Sequence, residues 1–238
     1  MITKYGVIMS NYFDIDRVSA SGLKKLVISY EHYLTETKKT PAMDFGTLVH
    51  TLALEPHEYK NTFVCEKIDK RTKDGKARAK EIEESGLILI DNKQLFQAKK
   101  MAASIHNHDL FTLDGEIEKE IYWNYNDVEC KSKIDIVTDN YIMDIKTIDS
   151  LDKAINRVWY EYAIQARFYQ LADYQENGFL EKPFRFFFVE KQAPYACICL
   201  EAGDGVLSKG QGLIDRGIEN YKLGKSGIKT LKDFEVIG

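Results

Sequence analysis

The sequence predicts an α/β fold: a central mixed sheet of about five strands, built as an antiparallel meander, a crossover helix and further strands, with helices on its flanks. Three observations predict it. The hydrophobic period changes from helical to alternating near Glu118, and three short strand-like runs follow at once. A long stretch of helical period then separates them from two more alternating runs, an order that calls for a crossover. Hydrophobic residues at 44%, aromatics at 12% and only four prolines supply enough apolar surface to offset the ordering of the chain, and no low-complexity tract interrupts them.

The elements follow in order. Ser19 or Ser21 is suited to N-cap a first helix carrying Leu23, Leu26 and Val27, and after a turn a second helix covers 41–54. Residues 66–81 hold Lys67, Lys70, Arg71, Lys73, Lys76, Arg78 and Lys80, with Gly75 among them. They read as an exposed basic loop running into a helix, and a merely solvated charged face accounts for them equally well. Strands are expected at 118–125, 129–137 and 141–148. A helix over 151–177 would bury one stripe of Leu151, Ile155, Val158, Tyr162, Tyr169 and Ala172. Strands at 184–190 and 195–201, joined by a turn containing Pro194, close the sheet, and a helix and tail follow from Gly203. No repeat and no linker divides the chain. We expect one domain over 1–238: a helical and basic-loop part at about 17–110, a sheet core at about 116–202, and a C-terminal helix and tail at about 203–238.

Several classes are set aside at this stage. The net charge of -4 carries no global basic signature, so any electropositive surface must be local. The longest apolar runs, such as 86–90 and 186–189, fall far short of the roughly 18 residues of a membrane helix. The first residues lack the basic start, apolar stretch and cleavage site of a signal peptide, so a cytoplasmic protein without membrane partners is expected. Cys65, Cys130, Cys197 and Cys199 form no CxxC pair and read as small core residues before ligands or disulfides.

The informative stretch runs from Lys133 to Lys146. If Asp139 and Asn140 form a two-residue hairpin turn, Thr138 faces Tyr141 and the register places Asp135 opposite Asp144, with Cβ atoms about 5 Å apart. Lys146 then shares their face, while Ile134, Ile136, Met143 and Ile145 pack on the other. Two carboxylates so placed repel unless a proton or a cation lies between them. Oxygen ligands with open water positions favour a hard ion, Mg²⁺ or Mn²⁺, which polarises phosphoryl oxygens and acidifies water. Lys146 would orient the attacking water or offset charge building on the phosphate. A solvent-exposed acidic hairpin is the alternative, and the apolar flanks of both aspartates argue against it.

These residues carry a resemblance. Asp135 followed by Asp144-Ile145-Lys146 resembles the PD-(D/E)XK nuclease signature, as does the element order. Gly46-Thr47-Leu48-Val49-His50 resembles the GxxxH helix, and Gln165-Ala166-Arg167-Phe168-Tyr169 the QxxxY helix, of the RecB-like nucleases. Residues 19–26, 71–76 and 130–135, with Val189-Glu190-Lys191 and Pro194-Tyr195, resemble the RecE-type exonucleases, the nuclease domain of exodeoxyribonuclease VIII, so that the similarity spans roughly 17–225.

The resemblance implies a metal-dependent exonuclease that degrades one strand of linear double-stranded DNA from its 5′ end. It would leave a 3′ overhang for a single-strand annealing recombinase. It implies one or two Mg²⁺ or Mn²⁺ ions per site, a ring-shaped homo-oligomer (trimer or tetramer) around DNA ends, and a bacterial or phage-encoded source. By match to the motifs, His50, Asp135 and Asp144 would hold metal with the backbone carbonyl of Ile145, and Lys146 would be the catalytic lysine. Glu118 takes the place of an acidic residue on the first strand. Lys133 stands where the family often has Arg, which keeps the charge and loses the bidentate phosphate contact. The leading proline of the signature is also missing.

Other residues keep two readings. Gln165 would either make a buried structural hydrogen bond or contact the DNA backbone or a catalytic water, and Tyr169, one turn beyond it, is a candidate DNA contact. Arg71, Lys73 and Lys76 would grip phosphates, and Ser21 would either cap its helix or donate to a phosphate. Three rival functions share parts of this pattern: a Cas4-type iron–sulfur nuclease, which needs four clustered cysteines; a non-catalytic DNA-end-binding module; and a site-specific endonuclease.

Overall fold

The computed structural model describes residues 12–178 and 181–230. After a 3₁₀ turn at Tyr12–Asp14, the N-terminal part comprises α1 (Ala20–Leu26), α2 (Tyr30–Tyr33), α3 (Pro41–Leu54), a 3₁₀ turn at Pro56–Glu58, α4 (Tyr59–Thr62), β1 (Phe63–Cys65), α5 (Lys73–Glu84), β2 (Ile88–Ile90) and α6 (Asn92–His106). Polar caps fix these helices. Ser19 caps α1 by accepting from the Gly22 N–H, Thr40 caps α3 ahead of Pro41, and Asp91 and Gln94 form a capping box on α6. Thr72 caps α5 through the Gly75 N–H, so the basic segment is a loop followed by a helix.

The meander comprises β3 (Glu116–Tyr125), β4 (Val128–Val137) and β5 (Ile142–Ile148). A 3₁₀ turn at Leu151–Lys153 and α7 (Ala154–Arg157) lead into a π-turn at Val158–Tyr162 and α8 (Ala163–Asn177). Then come β6 (Phe184–Glu190), β7 (Cys197–Glu201) and α9 (Asp204–Lys225). The sheet order is β3-β4-β5-β6-β7, with β5 and β6 parallel and the other pairs antiparallel, so the fold class is the mixed five-stranded sheet the sequence predicts. β1 and β2 form a separate parallel pair.

Both faces of the sheet are covered. Phe184, Phe186 and Phe188 of β6 point to one core with Leu23, Leu26, Trp123, Phe168 and Ile214, while Phe187 and Val189 point to the other with Leu48, Val49, Met101 and Ile105. An apolar run on both faces is what a parallel, doubly covered strand requires. Burial of each such side chain contributes roughly 1.5–3 kcal/mol, which seats α1 and α8 on one side of β4–β5 and α3 on the other.

Four expectations change. Ser19, not Ser21, is the N-cap, and Ser21 Oγ lies 3.0 Å from Ser19 Oγ. The helix over 151–177 is broken by the π-turn, whose extra residue rotates the preceding turn outward. Ile155 is consequently 71% exposed and not part of the stripe. Ile134 packs in the α8-side core, opposite Ile136, Met143 and Ile145. The last strand begins at Cys197 because residues 191–196 form the turn around Pro194. The expected tail beyond residue 230 lies outside the described residues, and no helix among them is long and apolar enough to cross a membrane.

Candidate active site

The hairpin that organises the site closes as its side chains dictate. Thr138 Oγ1 accepts from the Asn140 and Tyr141 N–H groups, and the strand residues pair as Val137 with Ile142 and Ile136 with Met143. Continued one step, that register would place Asp135 opposite Asp144, but the β4–β5 pairing stops at Ile136. The Asp135 carboxylate turns inward and accepts the Ile145 N–H at 2.7 Å. On the other side the β3–β4 ladder skips the same residue: Ile117 pairs with Ile136 and Lys119 with Ile134, while Glu118 between them has φ of 50°. Asp135 is thus unpaired toward both neighbouring strands, and the interruption carries Ile134 and Ile136 to opposite cores.

Three ligand-bearing side chains converge there. His50 on α3, Glu118 on β3 and Asp135 on β4 have donor atoms within 4.8 Å of one another, the one such group among the described residues. His50 Nδ1 lies 3.3 Å from Asp135 Oδ2, and Lys133 Nζ lies 3.0 Å from Glu118 Oε2. Asp144 sits beside this group on β5, 2% exposed. Its Oδ1 accepts Gln165 Nε2 at 2.7 Å, and Lys146 Nζ is 2.5 Å from its Oδ2. Asp144 thus meets a donor group at each carboxylate oxygen, the Gln165 amide at one and the Lys146 ammonium at the other.

The protonation states follow from these contacts. Burial works against the His50 imidazolium, yet the Asp135 carboxylate, with Asp144 behind it, raises His50 to about 9. Asp135 is held below its usual value despite burial, by His50, Lys146 and the Ile145 N–H. Burial raises Asp144 to about 6, with Lys146 opposing and Asp135 adding to the rise. Burial and Asp135 raise Glu118, against the pull of Lys133. Lys146 stays cationic because Asp144 and Asp135 outweigh its burial.

The donor set of one imidazole and two carboxylates, with a third carboxylate buried beside them, fits a divalent cation. His50, Glu118 and Asp135 offer the group, with Asp144 Oδ2 beside them. Glu118, a secondary candidate in the sequence, is therefore central in the geometry. What the structure places at Ile145 is an N–H that fixes Asp135. Gln165 makes a directed bond to Asp144. Tyr169 is 9% exposed, and burial and the Asp144 charge push its phenol well above the usual value. It underlies the carboxylates and offers no surface to DNA, because α8 turns that face into the core. Gly46 shares the His50 face, and a Cβ there would meet open space.

The expected phosphate-binding residues lie on the N-terminal part. Arg71 is 90% exposed and its guanidinium engages Asp69. Lys73 opens α5 and Lys76 follows in the same helix. A cavity of about 750 Å³ is lined by Lys39, Lys70, Lys76 and Lys80 with Asp44 and Glu83. Ser21 is exposed on α1. Two residues of the site escaped the sequence: Lys24 of α1 and Tyr162 of the π-turn, whose ring centroid lies 5.0 Å from Lys24 Nζ and 5.1 Å from Lys146 Nζ. Only the spacing of Lys24 three residues after Ser21 signals the first, and nothing in the helical period signals the second. The cysteines do not converge: Cys130 packs in the α8-side core, and Cys65, Cys197 and Cys199 pack against the other.

The model of one protein family, described as a PDDEXK-like domain of unknown function (DUF3799), matches residues 9–230. A solved structure from Eubacterium rectale described as "Putative exonuclease" is similar at a TM-score of 0.66 and 19% sequence identity, covering 93% of this chain and 89% of that one. No curated protein sequence matches.

Proposed function

Because this chain belongs to the PDDEXK-like DUF3799 family, we propose that its carboxylate–lysine centre is the active site of a metal-dependent deoxyribonuclease. Our finer reading is an exonuclease that hydrolyses one strand of linear duplex DNA from the 5′ end and leaves a 3′ overhang for single-strand annealing. One observation carries the proposal: His50, Glu118 and Asp135 share a single locus, with Asp144 and a cationic Lys146 beside it.

His50, Glu118, Asp135 and Asp144 would hold Mg²⁺ or Mn²⁺, which when bound polarises a phosphoryl oxygen and makes water more acidic. The remaining work falls to the chain. Lys146 Nζ, beside Asp144, donates to the attacking water or to a non-bridging oxygen and offsets the charge that builds as the P–O bond breaks. Gln165 fixes Asp144 in one rotamer, and Lys133 does the same for Glu118. The basic cavity at Lys39, Lys70, Lys76 and Lys80 supports a reading in which phosphates are held without sequence preference. A ring-shaped trimer or tetramer would keep such an enzyme on its substrate, and light scattering of the purified protein tests that part.

With Mg²⁺, purified protein should degrade linear duplex DNA, releasing label from a 5′ end before a 3′ end, and leave closed circles intact. Lys146→Ala should lose turnover by a factor of about 10²–10³ while keeping its fold. Cutting of closed circles would overturn the exonuclease assignment, and an active Lys146→Ala would remove the role given to that lysine.

A further inference from the structure

Beyond the carboxylates and Lys146, the site contains a cation that the proposed chemistry has not used. Lys24 projects from α1 toward the π-turn, its Nζ 5.0 Å from the centroid of the Tyr162 ring that Lys146 Nζ also contacts at 5.1 Å. The other lysines of the site are neutralised at close range, Lys146 by Asp144 and Lys133 by Glu118. Among the described residues Lys24 makes no ion pair and no hydrogen bond. Asp144 and Glu161 act on it only through space. Burial and the like charge of Lys146 lower its ammonium to about 8, as expected of a cation held out of water without a matched anion.

The surroundings define what the missing partner is. Tyr162 offers Lys24 a ring face but no formal charge, and a cation–π contact contributes only about 0.5–2 kcal/mol. A cation taken up by His50, Glu118 and Asp135 would add positive charge to the same locus and deepen the need for an anion. Ser21, one turn before Lys24 on the same face of α1, is exposed and brings a hydroxyl to that side.

We propose that Lys24, with Ser21 beside it, binds a phosphate of the cleaved DNA strand next to the scissile one, so that α1 and the π-turn together form a second phosphate subsite. This rests on the nuclease reading above and adds to it a residue that sets the register of the strand against Lys146. The π-turn acquires a purpose in this arrangement: it places Tyr162 where one ring contacts both ammonium groups.

The test measures binding without turnover. Dissociation constants of a short end-labelled duplex are determined by fluorescence anisotropy with Ca²⁺ in place of Mg²⁺, across a series of salt concentrations. The proteins are the wild type, Lys24→Ala, Lys24→Met, Lys24→Arg and Ser21→Ala. Lys24→Ala should weaken binding about 5–20-fold and reduce the slope of log K against log salt by about 0.9, the value for one lost phosphate contact. Lys24→Met keeps the aliphatic stem against Tyr162 and should behave like Lys24→Ala. Lys24→Arg should retain both affinity and slope, and Ser21→Ala should bind less tightly with an unchanged slope. With Mg²⁺, Lys24→Ala should raise KM more than it lowers kcat. Wild-type affinity and slope in Lys24→Met would overturn the subsite, as would weakened binding with an unchanged slope, which would mean that Lys24 acts through packing alone. A wild type that binds no DNA would overturn the nuclease reading itself, so the two failures are distinguishable.

Discussion

Loading the centre with a divalent ion should release protons, and His50 sets how many. A metal takes the neutral imidazole. With its pKa raised to about 9 by Asp135, only about 1% of unloaded molecules present that form at pH 7, so apparent affinity lies roughly 100-fold below its limit. It should climb about tenfold per pH unit from 6.5 to 8.5 and level off above 9. Asp144, raised to about 6 by burial, adds a second proton, and below that pH the dependence steepens toward about 100-fold per unit. The linkage also acts on the unloaded fold. Because the folded value of His50 exceeds its unfolded value near 6.5, the stabilisation is complete below about pH 6.5 and is lost as pH rises through 9. It amounts to roughly 3 kcal/mol. Calorimetric titration with Mn²⁺ in buffers of different ionisation enthalpy counts the protons directly. Near one should be released at pH 7.5 and close to two at pH 5.5, while His50→Gln should abolish the release at pH 7.5 and keep the acid one. Affinity independent of pH between 6.5 and 8.5, with no proton release, would refute the assignment of a protonated His50 as a ligand.

Two further substitutions probe the supports of the site. Gln165→Leu removes the donor to Asp144 Oδ1 and should reduce metal affinity and nuclease rate about 10–100-fold with little change in melting temperature, as measured by titration and end-label release. Gly210→Ala places a Cβ 2.2 Å from the Ala163 carbonyl oxygen and 2.9 Å from Arg167 Cβ. The α8–α9 contact must open, with a loss of about 1–3 kcal/mol in urea unfolding.

Much of the fold was legible because its local signals agree with its packing. The run at 184–190 reads as a strand from its β-forming residues, and the Asp139-Asn140 turn with Thr138 fixes the hairpin register as far as Ile136. The group of Asp135, Asp144 and Lys146 was legible for the same reason, since one register error would have sent them to different faces. The π-turn was not legible. Helical period holds on either side of Val158–Tyr162, and one additional residue in a turn changes which side chains face inward without changing any residue type. The period therefore assigns Ile155 to the buried stripe and gives no sign that Tyr162 belongs to the site. β1 and β2, at three residues each, are too short to show any period.

The position of Glu118 explains why a regular hairpin is not enough. In an uninterrupted sheet Asp135 would face Asp144 directly, and two buried carboxylates at about 5 Å would each drive the other toward protonation. The structure instead breaks both ladders at Asp135. Glu118 adopts the left-handed φ of 50° that a glutamate rarely takes, at a cost of order 1–3 kcal/mol, and its pairing with β4 is skipped at that level. Freed from both neighbours, the Asp135 carboxylate turns to the Ile145 N–H and to His50, while Asp144 keeps Lys146 and Gln165. The two aspartates thereby acquire different partners and opposite pKa shifts, one lowered and one raised. That asymmetry is what a hydrolytic centre needs, a carboxylate always charged for ligation beside one whose charge depends on what is bound. The strained backbone at Glu118 is therefore the structural source of the asymmetry, and the glutamate that bears the strain is also the side chain that meets His50 and Asp135 within 4.8 Å.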